Sequence, residues 1–191
     1  MAESEYAVLS VMGPHAGEDA TAIFGRKIAD VQKVGKTFWL IHSYKARPDM
    51  VQRICAIASR EGTSVPCYFL APSSQGGASP TLHCVSANEY STDNINWHAL
   101  PLGLSPVTGQ IKRTACALVF GELHVDATST LDLWQYSDGL DQGQPIMIRQ
   151  GASTICAFQK DMTHHAARMK SHIRRVVAVG VLAKPYAVWL Q

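Results

Sequence analysis

Charge is scarce in this sequence. Only 17% of its 191 residues are Asp, Glu, Lys or Arg, against 47% hydrophobic. That balance is the reverse of a disordered chain and supplies ample material for a core. No apolar run reaches the roughly 20 residues that span a bilayer, so no membrane segment is expected. Residues Met1 to Glu5 are acidic and lack a basic region followed by an apolar one. No signal peptide is expected there, which favours a cytoplasmic setting. The five cysteines, Cys55, Cys67, Cys84, Cys116 and Cys156, are odd in number and widely spaced, with no C-x-x-C pair. Neither a structural zinc site nor a disulfide framework is indicated, and no metal is assigned. Their apolar neighbours point instead to buried, reduced thiols. Dense catalytic motifs are missing too: there is no G-x-G-x-x-G, Walker A, G-x-S-x-G or H-E-x-x-H string. No catalytic set and no cofactor emerges, and whether the protein is an enzyme stays open.

The charge that is present is unevenly placed. Residues 145–191 hold Arg149, Lys160, Arg168, Lys170, Arg174, Arg175 and Lys184 against the single acid Asp161. The preceding 144 residues carry more acids than bases. His164, His165 and His172 lie within the basic stretch. A basic quarter on a nearly neutral protein is an electrostatic footprint for a polyanion.

A length of 191 residues suits a single domain. Its first part, residues 1–80, reads as β-α-β-α-β. Tyr6 to Met12 is a short apolar strand. Residues 18–34 place Ala20, Ile23, Phe24, Ile28, Val31 and Val34 at helical spacing, and Gly35 fits the position that ends a helix. Thr37 to Ser43 is an almost continuous apolar run, as in a strand covered on both faces. Pro48 and Asp49 open a second helix that Gly62 ends, and Val65 to Leu70 is the next strand. The expected packing is a small Rossmann-like parallel sheet joined by crossovers. Residues 81–110, broken by Asn, Pro and Gly, read as an irregular connection. Residues 111–191 form a more antiparallel, β-rich half, with a strand at Ala115 to Val125. It is expected to end in a basic helix over 162–175 and a hairpin of 176–182 with 186–190 turning at Ala183 to Pro185.

Two constellations carry candidate chemistry. In a β-α-β-α-β unit the loops leaving the strands open at one sheet edge, where helix N-termini favour anions. Gly13, His15 and Gly17, then Ser43, Lys45 and Arg47, then Ser73 and Ser74 would meet there and hold a nucleotide or phosphate. In the basic helix, Met162, Ala166, Met169, Ile173 and Val176 form an apolar stripe. His165, Arg168, Lys170, His172, Arg174 and Arg175 form a cationic one that could track a phosphate backbone. Glu122 and His124, two apart on a strand, share a face and could orient a water, although half-exposed strands carry such residues routinely.

The leading expectation is an α/β protein that binds DNA or RNA through the basic helix. A second reading is a small enzyme or sensor binding a nucleotide-like anion at the strand-end loops. A third is a complex subunit, whether docked on an acidic protein partner or self-associated as a homo-oligomer.

Overall fold

The computed structural model describes residues 5–12, 18–41, 46–71, 85–109, 115–126, 128–138, 154–159 and 173–191. In chain order the elements are β1 (Tyr6–Val11), α1 (Ala20–Val34), β2 (Thr37–Ile41), α2 (Pro48–Arg60), β3 (Pro66–Leu70), β4 (Val85–Ser86), β5 (Glu89–Ser91), β6 (His98–Ala99), β7 (Thr108–Gly109), β8 (Ala115–Val125), β9 (Thr130–Asp132), β10 (Tyr136–Asp138), β11 (Thr154–Gln159) and β12 (Ile173–Leu190). A 3-10 turn at Leu133–Gln135 links β9 to β10. Among the described residues ten strands share one sheet, and β4 pairs with β7 apart from it. The sheet is mostly antiparallel, and β1 with β3 is its parallel pair among the described residues. No described helix is long and apolar enough to cross a membrane.

The helices form where the sequence signals lie. Asp19 caps α1, its carboxylate accepting from the Ala22 amide at 2.8 Å. Gly35, at φ 75°, sits in the left-handed region and donates its amide to Val31 O. Pro48 starts α2 at its first position, where its missing N–H leaves no bond unmade. Both helices pack on the same face of the sheet. Ile23, Phe24, Val51, Cys55 and Ala58 meet Val8, Trp39, Cys67, Phe69, Leu118 and Phe120 in the largest apolar cluster. Phe69 is the hub of its aromatic contacts, with ring centroids 4.5 Å from Trp39, 5.2 Å from Phe24 and 5.6 Å from Phe120.

The other face of the sheet is covered at its two ends. At one end Leu133 and Tyr136 close over Ala7, Leu9, Leu70, Ile155 and Val176. At the other, residues 87–107 bring Ala87, Val107, Tyr90, Leu100 and Leu104 onto Phe38, Ala117, Val119, Val188 and Leu190.

The Rossmann-like arrangement is not what the strands make. β1 and β3 are parallel neighbours as expected, but β2 lies far from both, hydrogen-bonded antiparallel to β8. β8 in turn pairs antiparallel with β12, and β12 with β3. Following those pairings, β2 runs opposite to β1 and β3. The reason is in β2 itself. Its odd and even positions are both apolar, so it needs cover on both faces. Beside β8 it has it: Trp39 and Ile41 enter the helix-side cluster, while Phe38 and Leu40 pack under residues 87–107.

The C-terminal expectations are corrected as well. Ile173, Arg174 and Arg175 are the first residues of β12, paired with Asp132, Leu131 and Thr130, and are not the end of a helix. Residues 160–172 lie outside the described residues, as do 145–148. The terminal hairpin is absent, because both of its arms belong to one strand and run along the same neighbour, β8. Ala178 to Leu182 pair with Val125 to Phe120, and Ala187 to Leu190 continue along Leu118 to Ala115. Ala183 to Tyr186 form an outward irregularity in that ladder, with a cis Lys184-Pro185 bond. Proline cannot donate to a ladder, so its place in a long strand is a bulge. The irregular connection over 81–110 contains four short strands, β4 to β7, separated by turns.

Cys55, Cys67 and Cys156 are buried, and no disulfide joins the described cysteines. Burial raises the Cys55 and Cys67 thiols well above the ordinary cysteine value. Native protein should therefore react with a thiol reagent at none of the three on the timescale that labels the unfolded chain. Mass spectrometry of the labelled protein checks this, and fast native labelling of any of them refutes it. Packing yields a second expectation. A Cβ on Gly180 would lie 2.6 Å from Phe120 Cδ1 and 3.2 Å from the Glu122 carbonyl. Since Phe120 is fully buried, Gly180→Ala should destabilise by about 1–3 kcal/mol in urea unfolding, as overpacking does.

Candidate functional site

Between its two covered ends, the sheet face opposite the helices carries a row of residues in register across three strands. Tyr68 on β3 pairs with Val179 on β12, and Val179 pairs with His124 on β8. Residues paired in register point to the same face. Tyr68 and Val179 both pack against the cluster of Leu9 and Leu70, which fixes that face as the one away from the helices. A second row, Pro66, Val181 and Glu122, runs beside it. His124 and Glu122 are exposed, while Tyr68, Pro66, Val179 and Val181 are half-buried. An imidazole, a phenol ring, aliphatic surface and one carboxylate thus share an accessible patch.

The basic stretch reaches the sheet beside this patch. Arg174 pairs with Leu131, which packs on the same cluster of Leu9 and Leu70. The Arg174 guanidinium is half-buried and donates to the Ala71 carbonyl, so it holds the end of β3. Desolvation lowers its pKa. Arg175 is exposed. Of the residues expected to contact nucleic acid, these two are described. His165, Arg168, Lys170 and His172 lie outside the described residues.

The expected anion site is divided by the direction of β2. Val11 pairs with Leu70, and Leu70 with Val176, so β1 and β3 end near the start of β12. Ile41 pairs with Cys116, and Cys116 with Trp189, so β2 ends near the finish of β12. The strands feeding Gly13, His15, Gly17, Ser73 and Ser74 thus exit at one end of the sheet, and the strand feeding Ser43 and Lys45 exits at the other. Those seven residues themselves lie outside the described residues. Arg47 is described, as the residue preceding α2. Its Nε is 3.3 Å from Asp49 Oδ1, and its guanidinium carbon is 5.8 Å from the Trp189 ring centroid.

One polar cluster went unseen in the sequence. Lys27 and Asp30 on α1 are each about 5% exposed. The Asp30 carboxylate accepts from the Ser105 amide at 2.8 Å, Ser105 Oγ at 2.6 Å and Thr37 Oγ1 at 2.8 Å. Lys27 Nζ lies 3.7 Å from Asp30 Oδ2 and donates to Ser105 Oγ at 3.3 Å. Burial lowers the Lys27 pKa to about 8, against the opposing pull of Asp30. A signal for it did exist: counted from buried Ile23, these charges fall at i+4 and i+7, on the apolar stripe of α1. Paired charges on an apolar stripe mark a tertiary anchor, here for the segment that runs along the β2 side of the sheet.

Among the described residues no three His, Cys, Asp or Glu side chains come together in a way that could hold a metal ion. Compared with known proteins, the chain matches no protein-family model, no curated protein and no solved structure.

The Asp30 cluster generates a stability expectation. Asp30→Ala strips partners from the Lys27 ammonium, the Ser105 amide and the Thr37 hydroxyl together. Breaking a buried pair from one side costs about 3–5 kcal/mol. Lys27→Met, which removes the charge and keeps the stem, should cost far less, since Asp30 retains three donors. Urea unfolding of the two variants at neutral pH checks the contrast, and equal losses would refute it.

Proposed function

We propose that this protein binds single-stranded nucleic acid across the sheet face opposite the helices, with the basic C-terminal quarter neutralising phosphates. The observation that carries the reading is the in-register row Tyr68, Val179 and His124, beside the point where the basic stretch enters β12 through Arg174 and Arg175. Single strands are bound by ring platforms flanked by positive charge, because every base has a flat face to stack and every nucleotide a phosphate to neutralise. β3 and β8 flank β12, so the two rings stand about 10 Å apart at ordinary strand spacing, with Val179 as apolar floor between them. Glu122 repels phosphate on the same face, which favours bases over the row and backbone toward Arg174, whose partner Leu131 packs on that face, and the residues before it. The charge excess of residues 145–191 is the long-range attraction. A reducing, cytoplasmic setting accords with the buried thiols. The reading as a nucleotide-binding enzyme or sensor is weaker, because its loops depend on strands that exit at opposite ends of the sheet.

Fluorescence anisotropy with a labelled single-stranded RNA, the matching DNA and its duplex, each at two salt concentrations, tests this. Single strands should bind more tightly than duplex, and log affinity should fall linearly with log salt. Arg174→Gln, which keeps a donor for the Ala71 carbonyl, should reduce that slope by about one unit or a little less. His124→Ala should cost about 1–3 kcal/mol of affinity if a base stacks there, with the slope unchanged. Failure to bind any nucleic acid at low salt overturns the proposal. So does a His124→Ala, Arg174→Gln double variant that folds and binds like wild type.

A further inference from the structure

Residues 100–107 run along the β2 side of the sheet and touch both of its faces. On the face away from the helices, Leu100, Leu104 and Val107 lie over Phe38, Val119, Val188 and Leu190. The same segment is also fastened to one side of α1. The Arg26 guanidinium donates to the Pro106 carbonyl at 3.3 Å. Lys27 and Asp30 hold Ser105. The end of the Lys33 side chain passes beside Gly103, whose φ of 88° suits glycine. Leu102, between the anchors, is 93% exposed. The segment therefore has few apolar contacts at its middle and one buried ionic anchor, the profile of an element that opens locally before the core does.

We propose that residues 100–107 form a strap whose opening is coupled to proton uptake at Lys27, so that the strap closes more tightly as the solution becomes alkaline. The inference stands apart from the nucleic-acid reading. The charged groups around Lys27 are Asp30, which favours its proton, Arg26, which opposes it, and Glu18, which favours it and is itself paired with Arg26. Lys33, in the last turn of α1, lies beside Gly103 of the strap. Thr37 from β2 and Ser105 from the strap face the cluster as neutral hydroxyls. When Lys27 loses its proton, the Asp30 carboxylate still has all three of its other donors, so the closed strap keeps a satisfied network. When the strap opens, Lys27 returns to water and to its ordinary proton affinity. The closed form titrates near pH 8 and solvated lysine near 10.5. Between those values opening takes up a proton from solvent, and the open fraction falls by up to about tenfold per pH unit. Below about pH 8 both forms are protonated and opening is independent of pH.

Hydrogen exchange at the Ser105 amide, which is bonded to the buried Asp30 carboxylate, reads the open fraction directly. Intrinsic amide exchange rises tenfold per pH unit. In the wild type the Ser105 rate should therefore flatten above about pH 8. In Lys27→Met, which has no proton to take up, it should keep rising tenfold per unit. Lys27→Arg stays charged throughout and should rise in the same way, which retains the test if the methionine variant folds poorly. A wild-type rate that rises tenfold per unit overturns the proposal. A rate that flattens alike in wild type and both variants also overturns it, since exchange limited by the opening step, and not proton uptake, would then be its cause.

Discussion

The rest of the structure hangs on the hydrogen-bond ladder of β12. Its two edges engage four strands, β3 and β5 along one and β8 and β9 along the other, and β2 is brought in through β8. Val176, Ala178, Gly180 and Leu182 alternate with more exposed neighbours, so one strand feeds side chains to clusters on both faces. Its length follows from β8, whose buried residues Ala117 to Phe120 need cover on both sides and a partner along their whole extent. Where the ladder cannot stay regular, it bulges at Ala183 to Tyr186 and re-forms in the same direction. Gln52 of α2 donates to the Ala187 carbonyl just past the bulge, tying the irregular strand to the helix above it.

Putting β12 at the centre sets what each sheet face can do. The helices take one face, and Phe69 gathers Phe24, Trp39 and Phe120 there into a rigid aromatic core. Among the described residues, the opposite face is covered at its ends, by Leu133 and Tyr136 at one and by residues 87–107 at the other. His124 and Val179 lie in the interval because β8 and β12 are longer than either cover. The candidate surface is thus a consequence of mismatched lengths. Chemistry built there is held by strands, which fix side-chain spacing better than loops.

The polar anchor at Asp30 plays a complementary part. Apolar contacts hold residues 100–107 down without specifying where along the β2 side the segment must sit. The Asp30 carboxylate does specify it, since three donors at 2.6–2.8 Å converge on it from α1's neighbours in space. A buried charge is tolerated only when so satisfied. The anchor therefore contributes register more than net stability.

The local elements were legible in the sequence, because their determinants are local. The apolar spacing from Ala20 to Val34 and the glycine at 35 define α1, and Pro48 opens α2. The apolar runs at Tyr6, Thr37, Val65 and Ala115 mark strands that form close to those positions. The burial of Cys55, Cys67 and Cys156 follows from their neighbours in the chain. What tertiary structure alone decided is which strand lies beside which. A run such as Thr37 to Ile41 announces that both faces will be buried, yet it is silent on whether a parallel neighbour or β8 will bury them. Ile173 falls at helical spacing from Met169 and Arg175 from Arg168, but pairing with β9 makes residues 173–175 strand, and the ladder to Thr130, Leu131 and Asp132 outweighs a local preference of tenths of a kcal/mol per residue. Ala183-Lys-Pro185 has the composition of a turn and became a bulge because β8 continues past it as a partner for both arms. Local periodicity specifies elements through contacts within a few residues. Sheet order and the face away from the helices arise from contacts between residues far apart in the chain, for which a single sequence holds no local mark; of the anchor, the sequence marks Lys27 and Asp30 on the apolar stripe of α1 but not their partner Ser105.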